Sequence, residues 1–205
     1  RLITLEQHHG VRRSWVWAEM GLAPVARLLE PLVLIAGLVG DSGLSGTSPE
    51  EMAEHYRHNY WKVDDALLRA LAMAREPSLQ AVVQELLNNL YTPWLHETAL
   101  NFQQLVRLKG YPGSRGVNEA VAAYQTAGEV VFFVDGLRYD VAQRFALQLQ
   151  ALGEVRHGYN WSALPSVTAT AKAAILPIHQ QLTGRDTDSD FQPSLKNEDK
   201  PFSGY

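Results

Sequence analysis

A continuous apolar run at residues 130–134, with the sequence VVFFV, constrains the fold of this chain more than any other stretch. Its β-branched and aromatic side chains leave no polar face, which is typical of a strand covered on both sides of a sheet. Asp135 and Gly136 end the run, and residues 137–152 follow with apolar side chains at helical spacing. This order predicts an α/β fold with Asp135 at the carboxyl end of a central strand.

Asp135 is a candidate functional residue because ligands of open α/β sheets bind at the carboxyl ends of the strands. Aspartate is also frequent just before a helix, where its carboxylate caps free backbone N–H groups. Position alone leaves both interpretations open.

Thr168 is a second candidate. Residues 153–159 predict a shorter strand, and Pro165 and Ser166 then interrupt the chain before a helical stretch that begins at Thr168. A threonine at a helix N-terminus lies near free N–H groups and the positive end of the helix dipole, which suits phosphate binding, although capping alone also explains it. Thr170 is the reserve candidate, and helical spacing places it roughly 200° around the helix from Thr168.

Together the two segments resemble the alkaline phosphatase superfamily, and within it the PglZ domain of bacterial BREX phage-defence systems. FFVDGLRYD at residues 132–140 is similar to the family's strand, aspartate and L-R-x-D helix start. ALPSVTATAK at residues 163–172 is similar to its nucleophile segment, and LTG at residues 182–184 to the end of the following helix. The resemblance covers roughly residues 129–184.

The resemblance implies a metal-dependent phosphoesterase, expected to be a phosphodiesterase or nuclease that acts in phage defence. Asp135 falls on the family's first metal ligand, and Thr168 falls on the nucleophile, which also contacts the metal. Zinc is the implied ion, with two ions in the complete domain and the remaining ligands outside this chain, so the fragment alone is expected to be inactive. Lys172 stands where related pyrophosphatases carry a histidine. Other BREX proteins are the implied partners, and nucleic acid is the implied substrate.

The sequence predicts two regions. Residues 1–125 are expected to be helical, with a break or kink at Pro31, a capped helix start at Ser48, and further helices at residues 61–73, 78–90 and 91–109. Residues 126–205 are expected to begin an alkaline-phosphatase-like α/β sandwich that is incomplete in this chain. Because the chain starts at Arg1 without methionine, we expect it to be a fragment of a longer protein.

Composition limits the possible partners and compartments. The net charge of −4 and the isoelectric point near 6.0 give no general attraction to nucleic acid. The sequence contains no cysteine, which excludes disulfides and thiolate metal sites and agrees with a cytoplasmic protein. The most apolar segment, residues 31–40, is too short to span a bilayer, so no membrane association is expected.

Two other functional classes fit parts of the sequence. The helical region is large enough to act as a catalytically silent docking module of a multi-protein defence complex, which an exposed apolar patch would support. A receiver domain, in which Asp135 itself accepts a phosphoryl group, needs an acidic pair after its first strand and a lysine after its last. Neither context precedes residue 130.

Overall fold

The computed structural model describes residues 1–39, 43–115, 132, 134–176, 178–184 and 193–196. The chain divides into two compact units. The first, the helical unit, comprises Arg1–Gly110 together with Tyr139–Leu152. The second unit comprises Tyr111–Arg138 and Gly153–Tyr205.

Helices build the first unit. They are α1 (Leu2–His9), α2 (Val16–Glu19), α3 (Pro24–Leu38), α4 (Pro49–His55), α5 (Trp61–Met73), α6 (Pro77–Leu86), α7 (Thr92–Lys109) and α8 (Tyr139–Leu149), with a 3₁₀ turn at Gly10–Ser14. No helix within the described ranges has both the length and the apolar character that crossing a membrane requires.

Two pairs of helices are continuous where the sequence predicted separate helices. A π-helical turn at Tyr56–Tyr60 joins α4 to α5, and a second at Leu87–Tyr91 joins α6 to α7. The second turn ends two residues before Pro93, which occupies the first turn of α7. Proline has no N–H group to donate, so the wider turn allows the chain to continue without an α-helical bond from Pro93.

The start of α4 follows the predicted capping pattern. The Ser48 hydroxyl accepts the backbone N–H of Glu51 at 3.2 Å, and Pro49 occupies the first turn. The Glu51 carboxylate turns back one residue further than in a standard capping box. It accepts the backbone N–H of Thr47 at 2.6 Å and the Thr47 hydroxyl at 2.5 Å.

The core of the helical unit lies where α3 packs against α5. Ile35 and Val63 have no solvent exposure, and burying such a side chain contributes roughly 1.5–3 kcal/mol. α3 is continuous through Pro31, so the break that the sequence offered as one alternative is absent, and Pro31 is itself buried. The other main core side chains are Leu28, Leu32, Met52, Ala66, Ala70, Leu79, Val83, Leu86 and Trp94.

The helix α8 packs on α5 within the helical unit. Nη1 of Arg144 lies 3.0 Å from Oδ1 of Asp65, and the ring of Tyr139 lies 5.8 Å from the ring of Tyr56. The buried side chains of α8 are Asp140 and Ala146. The apolar side chains at helical spacing were expected to be buried. This is wrong for Leu137, Phe145, Leu147 and Leu152, which are exposed.

The second unit has little regular structure among its described residues. It contains a 3₁₀ turn at Pro112–Arg115, α9 (Thr168–Ile175), a further 3₁₀ turn at His179–Gln181, and the strands β1 (Leu182–Thr183) and β2 (Ser194–Leu195). The two strands pair antiparallel, with Leu182 opposite Leu195 and Thr183 opposite Ser194. Residues 182–184, predicted to end a helix, therefore begin with a strand.

The predicted α/β fold is wrong for the described residues. Phe132 and Val134 belong to no strand and are 84% and 44% exposed, while residues 130, 131 and 133 lie outside the described residues. Residues 153–159 form no strand. The described part of the chain contains a single two-stranded sheet and no sandwich. The apolar run suits a covered strand, but a strand also needs neighbours to pair with, and the helix expected to cover it packs on α5 instead.

Candidate functional site

Thr168 is the first residue of α9, as the sequence predicted. Val167 occupies the cap position with extended backbone angles, φ −109° and ψ 158°, and no side chain caps the helix. Thr168 is exposed. Its hydroxyl forms no hydrogen bond with any residue that the structure describes.

The neighbouring hydroxyl of Thr170 is engaged in the turn that precedes α9. It donates to the backbone carbonyl of Pro165 and lies 3.1 Å from the carbonyl of Val167. The N–H of Val167 donates to the same Pro165 carbonyl at 2.8 Å. A hydroxyl held in this way is less free to contact a ligand, so Thr168 has the freer hydroxyl of the two.

Lys172 lies one helical turn after Thr168 in α9. Residues four apart share a face of a helix, so the lysine places a positive charge on the face that carries the Thr168 hydroxyl. A phosphate at the start of α9 would meet this charge together with the free N–H groups of the first helical turn.

Asp135 lies in a turn with Gly136, whose φ of 68° favours glycine. Its side chain is exposed and makes no ion pair or hydrogen bond with the described residues. α8 begins at Tyr139, so the position immediately before the helix belongs to Arg138 and not to Asp135. The carboxylate is therefore available to a ligand.

Asp135 and Thr168 belong to the same unit, but no direct hydrogen bond joins them. Among the described residues, no three acidic or histidine side chains converge as a metal site would require. Catalytic zinc takes three protein ligands, whereas these two residues supply two oxygen donors. They do not make a zinc site on their own, and an ion bound here needs further ligands.

The helical unit contains a buried carboxylate that the sequence did not predict. Asp64 is 8% exposed, and its two oxygens accept the hydroxyls of Tyr56 at 2.5 Å and Tyr91 at 2.7 Å. The sequence did contain a signal for this residue, because Asp64 stands at helical spacing from the apolar residues Trp61, Leu67 and Leu68. Because both oxygens have donors, this cluster is a satisfied structural network.

The neighbouring Asp65 forms a second network in the same helix. Its carboxylate pairs with Nε of Arg69 at 3.0 Å as well as with Arg144, and Nη1 of Arg69 lies 3.1 Å from Oε1 of Glu30. The network joins α3, α5 and α8, and its role in the unit is structural.

Apolar side chains are exposed near the start of the chain. We call the set Val11, Trp15, Val16, Trp17, Met20, Leu22 and Val25 the N-terminal surface; its members are 50–68% exposed. The guanidinium carbon of Arg12 lies 5.6 Å from the ring centroid of Trp15. Residues 11–27 carry three arginines, Arg12, Arg13 and Arg27, against one acid, Glu19, and Arg13 is paired with the carboxylate of Glu6. The helical unit therefore presents a surface that is apolar and locally basic.

Comparison of this chain with known protein families, with curated protein sequences and with solved structures finds no match.

Proposed function

We propose that Thr168 is the nucleophile of a phosphoester-cleaving activity, that of a phosphodiesterase in a BREX-type phage-defence system with nucleic acid as its substrate. One observation carries the proposal. Of the two threonine hydroxyls at the start of α9, that of Thr170 is held by backbone carbonyls, whereas Thr168 is exposed and its hydroxyl forms no hydrogen bond with the described residues. The resemblance of residues 132–140 and 163–172 to the PglZ domain supports the same residue.

The surroundings of Thr168 suit an anionic substrate. The free N–H groups at the start of α9 would stabilise a phosphate beside the hydroxyl, and Lys172 adds a positive charge to the same helix. A threonine hydroxyl is a weak nucleophile at neutral pH and needs activation. The proposal gives Asp135 the role of metal ligand, with zinc as the ion, and the further ligands that such a site needs come from outside the described residues.

The reaction proceeds in two balanced steps. Oγ of Thr168 attacks phosphorus, the bond from phosphorus to the leaving oxygen breaks, and the hydroxyl proton passes through solvent to the departing alcohol. Water then attacks the phosphothreonine, returns a proton to Thr168 and leaves a phosphomonoester. Each cycle consumes one water and yields one alcohol and one monoester.

The test is hydrolysis of bis(4-nitrophenyl) phosphate by the full-length protein, with and without added zinc or manganese. We expect Thr168→Ala and Asp135→Ala to lower the metal-dependent rate by a factor on the order of 10³, as loss of a nucleophile does. Thr168→Ser should retain part of the rate because it keeps a hydroxyl. Thr170→Val removes the competing hydroxyl and should leave most of the activity.

A rate that is indifferent to Thr168→Ala, in a variant whose circular dichroism matches the parent, contradicts the proposal. A rate lost in Thr170→Val and kept in Thr168→Ala assigns the nucleophile to Thr170 instead.

The N-terminal surface supports a second candidate function, docking within the defence complex. Exposed tryptophan, methionine and arginine are the residue types that dominate protein interfaces. The local excess of arginine favours a protein partner that presents acidic side chains next to apolar ones. We propose that such a partner, one of the other BREX proteins, covers this surface.

Association between this protein and each purified partner protein of the system tests the docking proposal. We expect the double variant Trp15→Glu/Trp17→Glu to weaken binding at least ten-fold, and the parent complex to weaken as salt rises. Leu108→Glu is the matched control, since Leu108 is 80% exposed on α7 and is not a member of the N-terminal surface. Equal losses in both variants, or none in either, contradict docking at this surface.

A further inference from the structure

The phenol of Tyr111 reaches the chain segment that leads to Thr168. Its hydroxyl donates to the backbone carbonyl of Ser162 at 2.7 Å. Its ring meets the indole of Trp161 edge-on, with centroids 5.6 Å apart and planes at 80°. The sequence predicted no more than a helix end at residues 110–114, so this contact across 51 residues is new.

Gly113 also packs closely against Tyr111, Trp161 and Ser162. A Cβ atom built there would lie 2.5 Å from Cε1 of Tyr111 and 3.0 Å from both the Ser162 carbonyl oxygen and Cβ of Trp161. Space for the backbone at residues 161–162 therefore exists because position 113 has no side chain. We call Tyr111, Gly113, Trp161 and Ser162 the Tyr111 clamp.

The turn at Pro165 follows the clamp directly. The carbonyl of Pro165 accepts the N–H of Val167 and the hydroxyl of Thr170, and the carbonyl of Val167 accepts the N–H of Ala171 at 2.9 Å. These bonds fix the shape of the turn within itself. They do not fix its place in the unit, whereas the clamp ties the preceding residues to residues 111–113.

We propose that Tyr111 is a positioning residue that holds the Thr168 segment in place through the clamp. The effect on reaction rate rests on the proposed function of Thr168, but the effect on the order of the segment does not. Tyr111 would act on the reaction through residues 161–168, without touching the substrate.

Two variants of the full-length protein test the clamp at different points. Tyr111→Phe keeps the ring and removes the hydrogen bond, and Gly113→Ala places a methyl group against the Ser162 carbonyl and Trp161. Tyr60→Phe and Gly158→Ala are matched controls. Tyr60 stacks on Trp94 in the helical unit, and a Cβ at Gly158 would meet nothing within 4 Å.

The first readout is amide hydrogen exchange at Val167 and Ala171, whose N–H groups donate to the carbonyls of Pro165 and Val167. We expect exchange to be roughly five-fold faster in Tyr111→Phe, the effect of losing one net hydrogen bond, and faster still in Gly113→Ala. The controls should match the parent. Unchanged exchange in both clamp variants overturns the proposal.

The second readout is phosphodiester hydrolysis. We expect kcat to fall roughly five-fold in Tyr111→Phe and KM to rise by no more than about the same factor, because the nucleophile and the phosphate-binding groups of α9 lie in the segment that the clamp holds. Faster exchange with an unchanged kcat overturns the positioning role. A parent without Thr168-dependent activity refutes the proposed function, and exchange still decides whether Tyr111 orders the segment.

Discussion

Nη1 of Arg144 lies 3.0 Å from Oδ1 of Asp65, and this ion pair joins α8 to a helix 79 residues earlier in the chain. The Asp65 side chain is 12% exposed and that of Arg144 is 39% exposed. A pair that is partly shielded from water contributes more than a surface pair, but solvent at the arginine limits the gain.

We expect Arg144→Met to lower the free energy of unfolding of the helical unit by about 1–2 kcal/mol, because Asp65 loses one of its two partners. Urea unfolding measures the change. Arg156→Met is the control, since its ion pair with Glu154 is 88% and 74% exposed, and it should cost less than about 0.5 kcal/mol. Equal costs in the two variants would show that burial of Asp65 adds nothing.

The buried carboxylate of Asp64 gives a second prediction. Tyr91→Phe removes the donor to one of its oxygens and leaves the ring in place. We expect a loss of about 1–3 kcal/mol, because the hydrogen bond that is removed is made to a buried carboxylate, and a similar loss for Tyr56→Phe. Thermal unfolding of the variants beside Tyr60→Phe measures it. An equal loss in Tyr60→Phe would contradict this role of the Tyr56 and Tyr91 hydroxyls.

The start of α4 predicts a pH dependence. The pKa of Glu51 is lowered from 4.5, mainly by the hydrogen bond from the Thr47 hydroxyl and next by the Thr47 backbone N–H. Since the folded pKa lies below the unfolded one, the stabilisation is complete above the unfolded pKa and is lost as pH falls through the folded pKa. We expect Thr47→Val to raise the pKa of Glu51 towards 4.5 in an NMR titration of its carboxyl carbon. An unchanged midpoint would contradict the assigned cause.

Replacing either of two glycines of the helical unit by alanine should change the stability, with opposite signs at the two positions. A Cβ at Gly43 would lie 2.4 Å from the backbone nitrogen of Thr98, where Leu44 N–H donates to the Thr98 hydroxyl at 2.8 Å. We expect Gly43→Ala to cost about 1–3 kcal/mol. Gly37 is exposed within α3, and a Cβ there meets nothing within 4 Å, so Gly37→Ala should stabilise by up to about 1 kcal/mol. Chemical unfolding of both variants decides it.

Local chemistry made parts of the fold predictable. Ser48, Pro49 and Glu51 define the start of α4 through bonds within four residues, and the structure confirms that start. The beginning of α9 at Thr168 is confirmed for the same reason, because Pro165 and the residues after it form a local turn. Such features depend on neighbours in the sequence and can be read from it.

Features that depend on distant partners were not predictable. The run at residues 130–134 has the composition of a covered strand, yet composition does not say whether another strand lies beside it. Asp64 and Asp65 look like solvated acids until Tyr91 and Arg144 are brought to them by folding. The preference for Thr168 over Thr170 came from the resemblance, and the hydrogen bonds of Thr170 supply a physical reason for it.

The helical unit is interrupted in the chain, since α8 follows residues 111–138 of the second unit. During synthesis, α1 to α7 are translated before the helix that pairs with Asp65 exists. The interval from Gly110 to Leu149 is 149 − 110 = 39 residues, which takes about 2–8 s at 5–20 residues per second. For that time the α5 face that receives α8 is open to chaperones or to other nascent chains, and translation speed across residues 111–138 sets how long it stays so.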